Sequence, residues 1–215
     1  MKNHNFYDNC MLCPRTCGAQ RSKGKTGICG VTETLKVARA ALHFWEEPCI
    51  SGTKGSGAVF FSGCALHCVF CQNESIAQGT AGKKITPERL VEIFLELQEQ
   101  KANNIDLVTP THFTPVILEA LGDEPWPVPV VWNCGGYEKP ETLRLLEGKV
   151  QVYLPDLKYA DAALAARLSA APDYFPAATA AIREMFRQTG PYVMEDGLLK
   201  RGVMIRHLVL PGQLD

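Results

Sequence analysis

The chain has 215 residues, 46% hydrophobic and 21% charged, with a formal net charge of −1. That is enough apolar material for one ordinary core, without the basic excess that would draw nucleic acid or an anionic membrane. The polar start, Met1 to Asp8, is no secretory signal, and no uncharged apolar stretch approaches the roughly 18 residues of a spanning helix, so a cytoplasmic protein is expected.

Nine cysteines are present, seven of them in two tight groups. A disulfide framework of that density belongs to short secreted chains, so clustering in a cytosolic chain indicates metal.

Residues 1–50 read as a cysteine-rich N-terminal segment. Cys10, Cys13, Cys17 and Cys29 follow a C-x2-C-x3-C-x11-C spacing across a Gly/Lys-rich loop. Four thiolates suit tetrahedral zinc and equally a closed second 4Fe–4S cluster, with a structural role favoured over a redox one. Residues 34–45 partly alternate and read as an extended lead-in. Glu46 and Glu47 are expected to be a solvated or capping pair, and the isolated Cys49 a small buried residue.

Residues 51–215 alternate strand and helix signals. Ala58 to Ser62 is a short buried strand, and Cys64, Cys68 and Cys71 crowd the loop behind it as C-x3-C-x2-C. Three thiolates can hold three irons of a 4Fe–4S cube, leaving the fourth open to bind and activate a small molecule. His67 within this loop is expected to be solvated rather than a ligand. Thr86-Pro87 starts a helix, with Leu90, Val91, Ile93, Phe94 and Leu97 as its apolar face.

Further strands are expected at 105–109, 128–133, 150–155 and 202–210. Helices are expected from Thr114-Pro115 to Gly122, from Pro140 to Gly148, and over 160–171 and 177–188. This alternation predicts a parallel sheet with right-handed crossovers and chemistry beyond the carboxyl ends of its strands. Those ends carry the cysteine loop; Thr109, Thr111 and His112; Asn133, Cys134 and Gly135-Gly136-Tyr137; Asp156 and Lys158; and Arg206 and His207. Buried hydrogen-bonded packing and acid–base work are equal readings of His112, as are packing and pocket lining for Cys134. A bare arginine on an apolar strand is costly, so Arg206 is expected to meet an anion.

The cysteine loop with Phe70 before its last thiol resembles that of the radical S-adenosylmethionine (SAM) superfamily. The wider stretch from Glu46 to Gly52 and from Gly63 to Asn73 is similar to pyruvate formate-lyase activating enzyme-like proteins. So are Leu107 to Phe113, Tyr153 to Tyr159 and Arg206 to Gly212. The resemblance implies an α/β fold, a partial (β/α)6 barrel, here ending after the fifth strand and so expected to lack its last unit. It further implies a radical SAM oxidoreductase. A 4Fe–4S cluster on Cys64, Cys68 and Cys71 would cleave SAM to a 5′-deoxyadenosyl radical that abstracts hydrogen from a glycyl radical enzyme, with a flavodoxin- or ferredoxin-type reductant.

By motif match, Phe70 would lie near the adenine and Asn133 near the ribose or methionine. Asp156 and Lys158 would be catalytic, and Arg206 would pair with the SAM carboxylate. Thr109-Pro110-Thr111-His112 stands where many relatives carry a Gly-Gly-Glu turn for the methionine amino group, so backbone carbonyls or the Thr hydroxyls of this turn, Thr109 first, are expected to replace that contact. The alternatives are another peptide or small-molecule substrate, or a non-catalytic iron–sulfur or zinc protein in electron transfer or regulation.

Overall fold

The structure is a computed structural model and describes residues 4–212. The first three residues of the polar start, and the chain end at Asp215, lie outside the described residues. After a short helix α1 (His4–Asp8), the cysteine-rich segment runs through loops and one 3-10 turn, Arg21–Lys23. Tyr7, Cys10, Leu12, Cys29, Val31 and Leu35 from this segment bury into the same core as the sheet.

Among the described residues, eight strands form one sheet in the order β3-β1-β2-β4-β5-β6-β8-β7. Its centre is parallel: β2 (Ser56–Phe61), β4 (Ile105–Val108), β5 (Val130–Cys134), β6 (Val152–Pro155) and β8 (Leu198–Val203). The lead-in is a full strand, β1 (Lys36–His43), antiparallel to β2, and β3 (Lys83–Lys84) pairs with its start. The fold is therefore α/β with a mostly parallel sheet. No described helix is long and apolar enough to cross a membrane.

The helices follow their punctuation. Thr86 caps α4 (Pro87–Glu99), its hydroxyl accepting from the Arg89 N–H, and Pro87 occupies the first turn. α5 (Thr114–Leu121) ends at Gly122, and α6 (Pro140–Arg144) is shorter than expected. The alanine-rich region divides into α7 (Ala162–Ser169) and α8 (Tyr174–Thr189). α8 starts three residues before the expected position because Pro176 lies in its first turn, where its missing N–H is harmless. Two further single-turn helices, α2 (Pro48–Ser51) and α3 (Glu74–Ala77), flank the cysteine loop.

The expected fifth strand is corrected most. It begins at Leu198, ends at Val203, and is the second arm of a hairpin with β7 (Val193–Glu195). Asp196 and Gly197 both have positive φ, as a two-residue turn of the primed type requires, so Asp-Gly was the available signal. Beyond Val203 the chain still follows β6 without forming a strand. Met204 N–H donates to the Tyr153 carbonyl and Arg206 N–H to Pro155, and Leu157 N–H donates to Arg206.

Strand alternation gives the sheet two different faces. Val59, Phe61, Ile105, Leu107, Val130, Trp132 and Tyr153 turn towards α4, α5, α6 and α8 in one continuous core. The opposite face carries Val131, Val152 and Leu154 under Ile50 of α2. It also carries Asp106 and Asn133, one residue out of phase with the helix-covered set.

Candidate iron–sulfur site

A cavity of about 790 Å³ opens at the carboxyl ends of β2, β4, β5 and β6. Cys64, Cys68, Phe70 and Cys71 line one wall; Thr109, Asn133, Cys134, Asp156, Lys158, Arg206 and His207 line another. The volume lies within the range of small-molecule sites. Four strand ends and the segment that follows β8 thus converge, as a parallel sheet with crossovers on one face demands. Thr111 and His112 do not join them. His112 is buried beside Phe113, its Nε2 is 2.7 Å from the Ser62 carbonyl oxygen, and burial pushes its pKa down to about 3. It is a packing histidine.

The cysteine loop is held from behind by residues that no motif marked. Leu66 sits in a second core with Tyr137, Tyr159 and Tyr174. The Ser169 hydroxyl donates to Cys68 Sγ at 2.9 Å and lies 2.6 Å from Tyr159 Oη, while Val69 N–H donates to the Leu168 carbonyl. Arg15 straps the loop to the end of α7, donating from Nε to Ala65 O (2.8 Å), from Nη2 to Ser169 O (2.7 Å), and from Nη1 to Ala170 O. Its guanidinium lies over the Tyr137 ring. His67, expected to be solvated, has Nε2 at 2.7 Å from the Ile28 carbonyl and ties this loop to the N-terminal segment.

The chemistry of the donor set fits iron. Three thiols sit on one loop at the cavity wall, and Phe70 packs edge-on to Tyr159 at 6.3 Å behind them. Burial pushes the Cys64 thiol up to about 11, so ligation there must release its proton. Among the described residues, no three His, Cys, Asp or Glu side chains close round a single ion. A cube instead bonds each thiolate to its own iron, which needs a wider spread of sulfurs.

The opposite wall is an ionic network. Arg206 donates from Nε to Asp156 Oδ1 (2.8 Å), from Nη2 to Asn133 Oδ1 (2.6 Å) and from Nη1 to Glu46 Oε2 (3.4 Å), with Glu47 at 3.8 Å. Lys158 Nζ donates to Asp156 Oδ2 at 2.6 Å. Asn133 Nδ2 reaches Asp106 Oδ2 at 3.4 Å, and Asp106 Oδ1 is buried without a partner among the described residues. Burial drives the carboxyls of Asp106 and Glu46 upward; Glu46 and Glu47 add repulsion at Asp106, Glu47 and Asp156 add it at Glu46, and Arg206 opposes both.

This corrects one expectation and meets another. Glu46 and Glu47 are cavity-wall residues; Glu47 does stand at the N-cap of α2, but its side chain makes no capping bond. The fork of Arg206 is filled by protein oxygens, so the anion it required is supplied by the chain itself. Cys134 is both buried and at the cavity wall, and Cys49 is half-buried beside Met204.

Thr109 takes φ +56°, a left-handed conformation that a β-branched residue adopts only under constraint. Its N–H donates to the Asn133 carbonyl at 2.8 Å, which fixes the turn that leaves β4. Strained backbone of this kind collects at functional sites.

A family model for a 4Fe–4S single cluster domain matches residues 50–119, which contain all three loop cysteines. An uncharacterized protein of Methanocaldococcus jannaschii is 30% identical over 220 residues, covering 98% of this chain. The chain spans 60% of the length of that relative. With the thiol geometry, the family match supports a 4Fe–4S cluster site on this loop.

Proposed function

We propose that this chain is a radical SAM enzyme of the glycyl-radical-enzyme activating type, built as a partial (β/α)6 barrel. The observation that carries the reading is the three-thiol loop facing a cavity at the strand ends lined by both acids and cations. When bound, a reduced 4Fe–4S cluster with one open iron supplies the one-electron cleavage of SAM to methionine and a 5′-deoxyadenosyl radical that takes hydrogen from substrate.

The chain's residues then have defined tasks. Cys64, Cys68 and Cys71 hold three irons, and Phe70 gives the adenine an apolar edge. Glu46, Glu47 and Asp156 balance the cations Arg39, Lys158 and Arg206 on the wall, which suits a ligand bearing both charges, as the sulfonium, ammonium and carboxylate of SAM do. Glu46 and Glu47 supply the acidic contact for the amino group that the Thr109–His112 turn does not carry. Lys158 uses one of its three N–H donors on Asp156 and keeps the others for the carboxylate. Arg206 positions Asp156, Asn133 and Glu46 rather than binding ligand.

A protein substrate is favoured by the apolar rim, where Trp45 is 89% and Val69 72% exposed. The partner's glycyl region would dock there, and a flavodoxin- or ferredoxin-type protein would deliver the electron.

The test is anaerobic reconstitution with iron and sulfide, reduction, addition of SAM, and chromatography for 5′-deoxyadenosine. Cluster-loaded protein should form it, and Cys68→Ala should not. A loaded, reduced protein that leaves SAM intact refutes the reading. A glycyl radical signal in electron paramagnetic resonance, after mixing with a candidate partner, tests the substrate separately.

A further inference from the structure

The N-terminal segment contains a buried charge that the loop site does not explain. Arg21 is 0% exposed, in the 3-10 turn between Cys17 and Cys29. A guanidinium is a permanent cation. Nη1 donates to the His112 carbonyl at 2.6 Å and to Cys10 Sγ at 3.6 Å, and Nη2 donates to the Thr32 carbonyl at 2.8 Å. The Tyr7 and Phe113 rings stack on it at 4.7 and 5.5 Å. Among the described residues its Nε has no partner, and no carboxylate comes within ion-pair distance. A buried cation needs an anion, and neutral carbonyls are a poor substitute.

The thiols around it are placed to become that anion. Cys10 and Cys29 are buried in the core, and Cys10 touches the guanidinium. A Cβ added at Gly27 would stand 3.3 Å from Cys17 Sγ and 3.4 Å from Cys29 Sγ, so these two sulfurs flank one hollow that glycine leaves open. Cys13 lies within range of the charges of Cys10 and Cys29.

We propose that Cys10, Cys13, Cys17 and Cys29 hold a closed 4Fe–4S cluster, whose four thiolates need the wider spread of sulfurs that a single ion does not, and that Arg21 is its buried counter-charge. The centre abuts the loop site: Cys64 N–H donates to the Cys29 carbonyl at 3.2 Å, and His67 reaches Ile28. An added Cβ at Gly63 would meet the Cys29 carbonyl at 2.6 Å, so the two ligand backbones are in direct contact. The proposal does not depend on the reaction proposed above.

The test uses the full chain with Cys64, Cys68 and Cys71 all replaced by alanine, which removes the loop site. After anaerobic loading with iron and sulfide, or with zinc, metal and sulfide are quantified and absorption recorded. Four irons with four sulfides are expected to be retained, as a closed cluster requires; retention of one zinc and no iron overturns the cluster. Adding Cys10→Ala and Cys29→Ala should abolish it. A triple variant with unchanged circular dichroism that retains neither metal overturns the proposal, whatever the wild type does with SAM.

In the same background, Arg21→Gln should weaken retention against a chelator roughly tenfold or more, the range found when groups supporting metal ligands are lost. Arg21→Lys, which keeps the charge, should restore much of it. Equal retention by the lysine and glutamine variants overturns the counter-charge role.

Discussion

Glu138 follows β5 and is 3% exposed, with Oε1 accepting from the Thr111 hydroxyl at 2.6 Å and Oε2 buried without a partner among the described residues. Burial pushes its pKa from 4.5 up to about 7, against the opposing pull of Thr111 and Cys134. Because the folded value is raised, the neutral carboxyl is the form the fold accepts. Stability from this group is therefore fully present below pH 4.5 and is lost as pH rises through about 7. At about 1.4 kcal/mol for each pKa unit, ionising it at pH 8 costs about 3 kcal/mol.

Glu138→Gln keeps the shape and the acceptor for Thr111 but cannot ionise. Urea unfolding of the metal-free chain, followed by circular dichroism at pH 5, 6, 7 and 8, measures the difference. The variant's advantage should grow with pH to about 3 kcal/mol, a shift of the midpoint by about 1 M urea at ordinary slopes. Parallel pH profiles for the two proteins would show that Glu138 is ionised at no cost, and the burial argument would be wrong.

Three further changes test the site's scaffold. At Gly136 (φ +77°) an added Cβ would lie 2.0 Å from the Asp156 carbonyl oxygen, so Gly136→Ala should lower the unfolding free energy by about 3 kcal/mol or more and reduce cluster loading; an unchanged melting temperature refutes the close approach. Thr109→Gly should release left-handed strain and raise unfolding stability by about 1 kcal/mol, read by urea midpoint against Thr109→Ala, which should not gain it. Arg15→Met removes the strap from Ala65, Ser169 and Ala170, and should cost about 2 kcal/mol and speed amide exchange across residues 64–71; protection equal to wild type there excludes the strap.

The local chemistry of this protein was legible in order along the chain. Apolar runs ending in polar residues located the parallel strands, and Thr86-Pro87 and Gly122 located helix ends, because these signals act within a few residues. The three-thiol loop was likewise complete in itself, since its spacing alone brings Cys64, Cys68 and Cys71 to one turn. The Asp196-Gly197 hairpin was written just as locally, yet the apolar run behind it drew the expected strand too far towards Leu210.

What surrounds the thiols could be decided only in three dimensions. Arg206 and Glu46 stand 160 residues apart, and no local pattern tells whether a guanidinium faces ligand or protein carboxylates. Strand register put Asp106, Asn133 and Asp156 on common ground with Arg206, while the turn after Thr109 sent His112 to the core instead. Arg21 reads as an ordinary loop arginine until Tyr7, Phe113 and the His112 carbonyl close round it. Burial, not residue type, is what turns these charges into demands for a partner, and burial belongs to the whole fold.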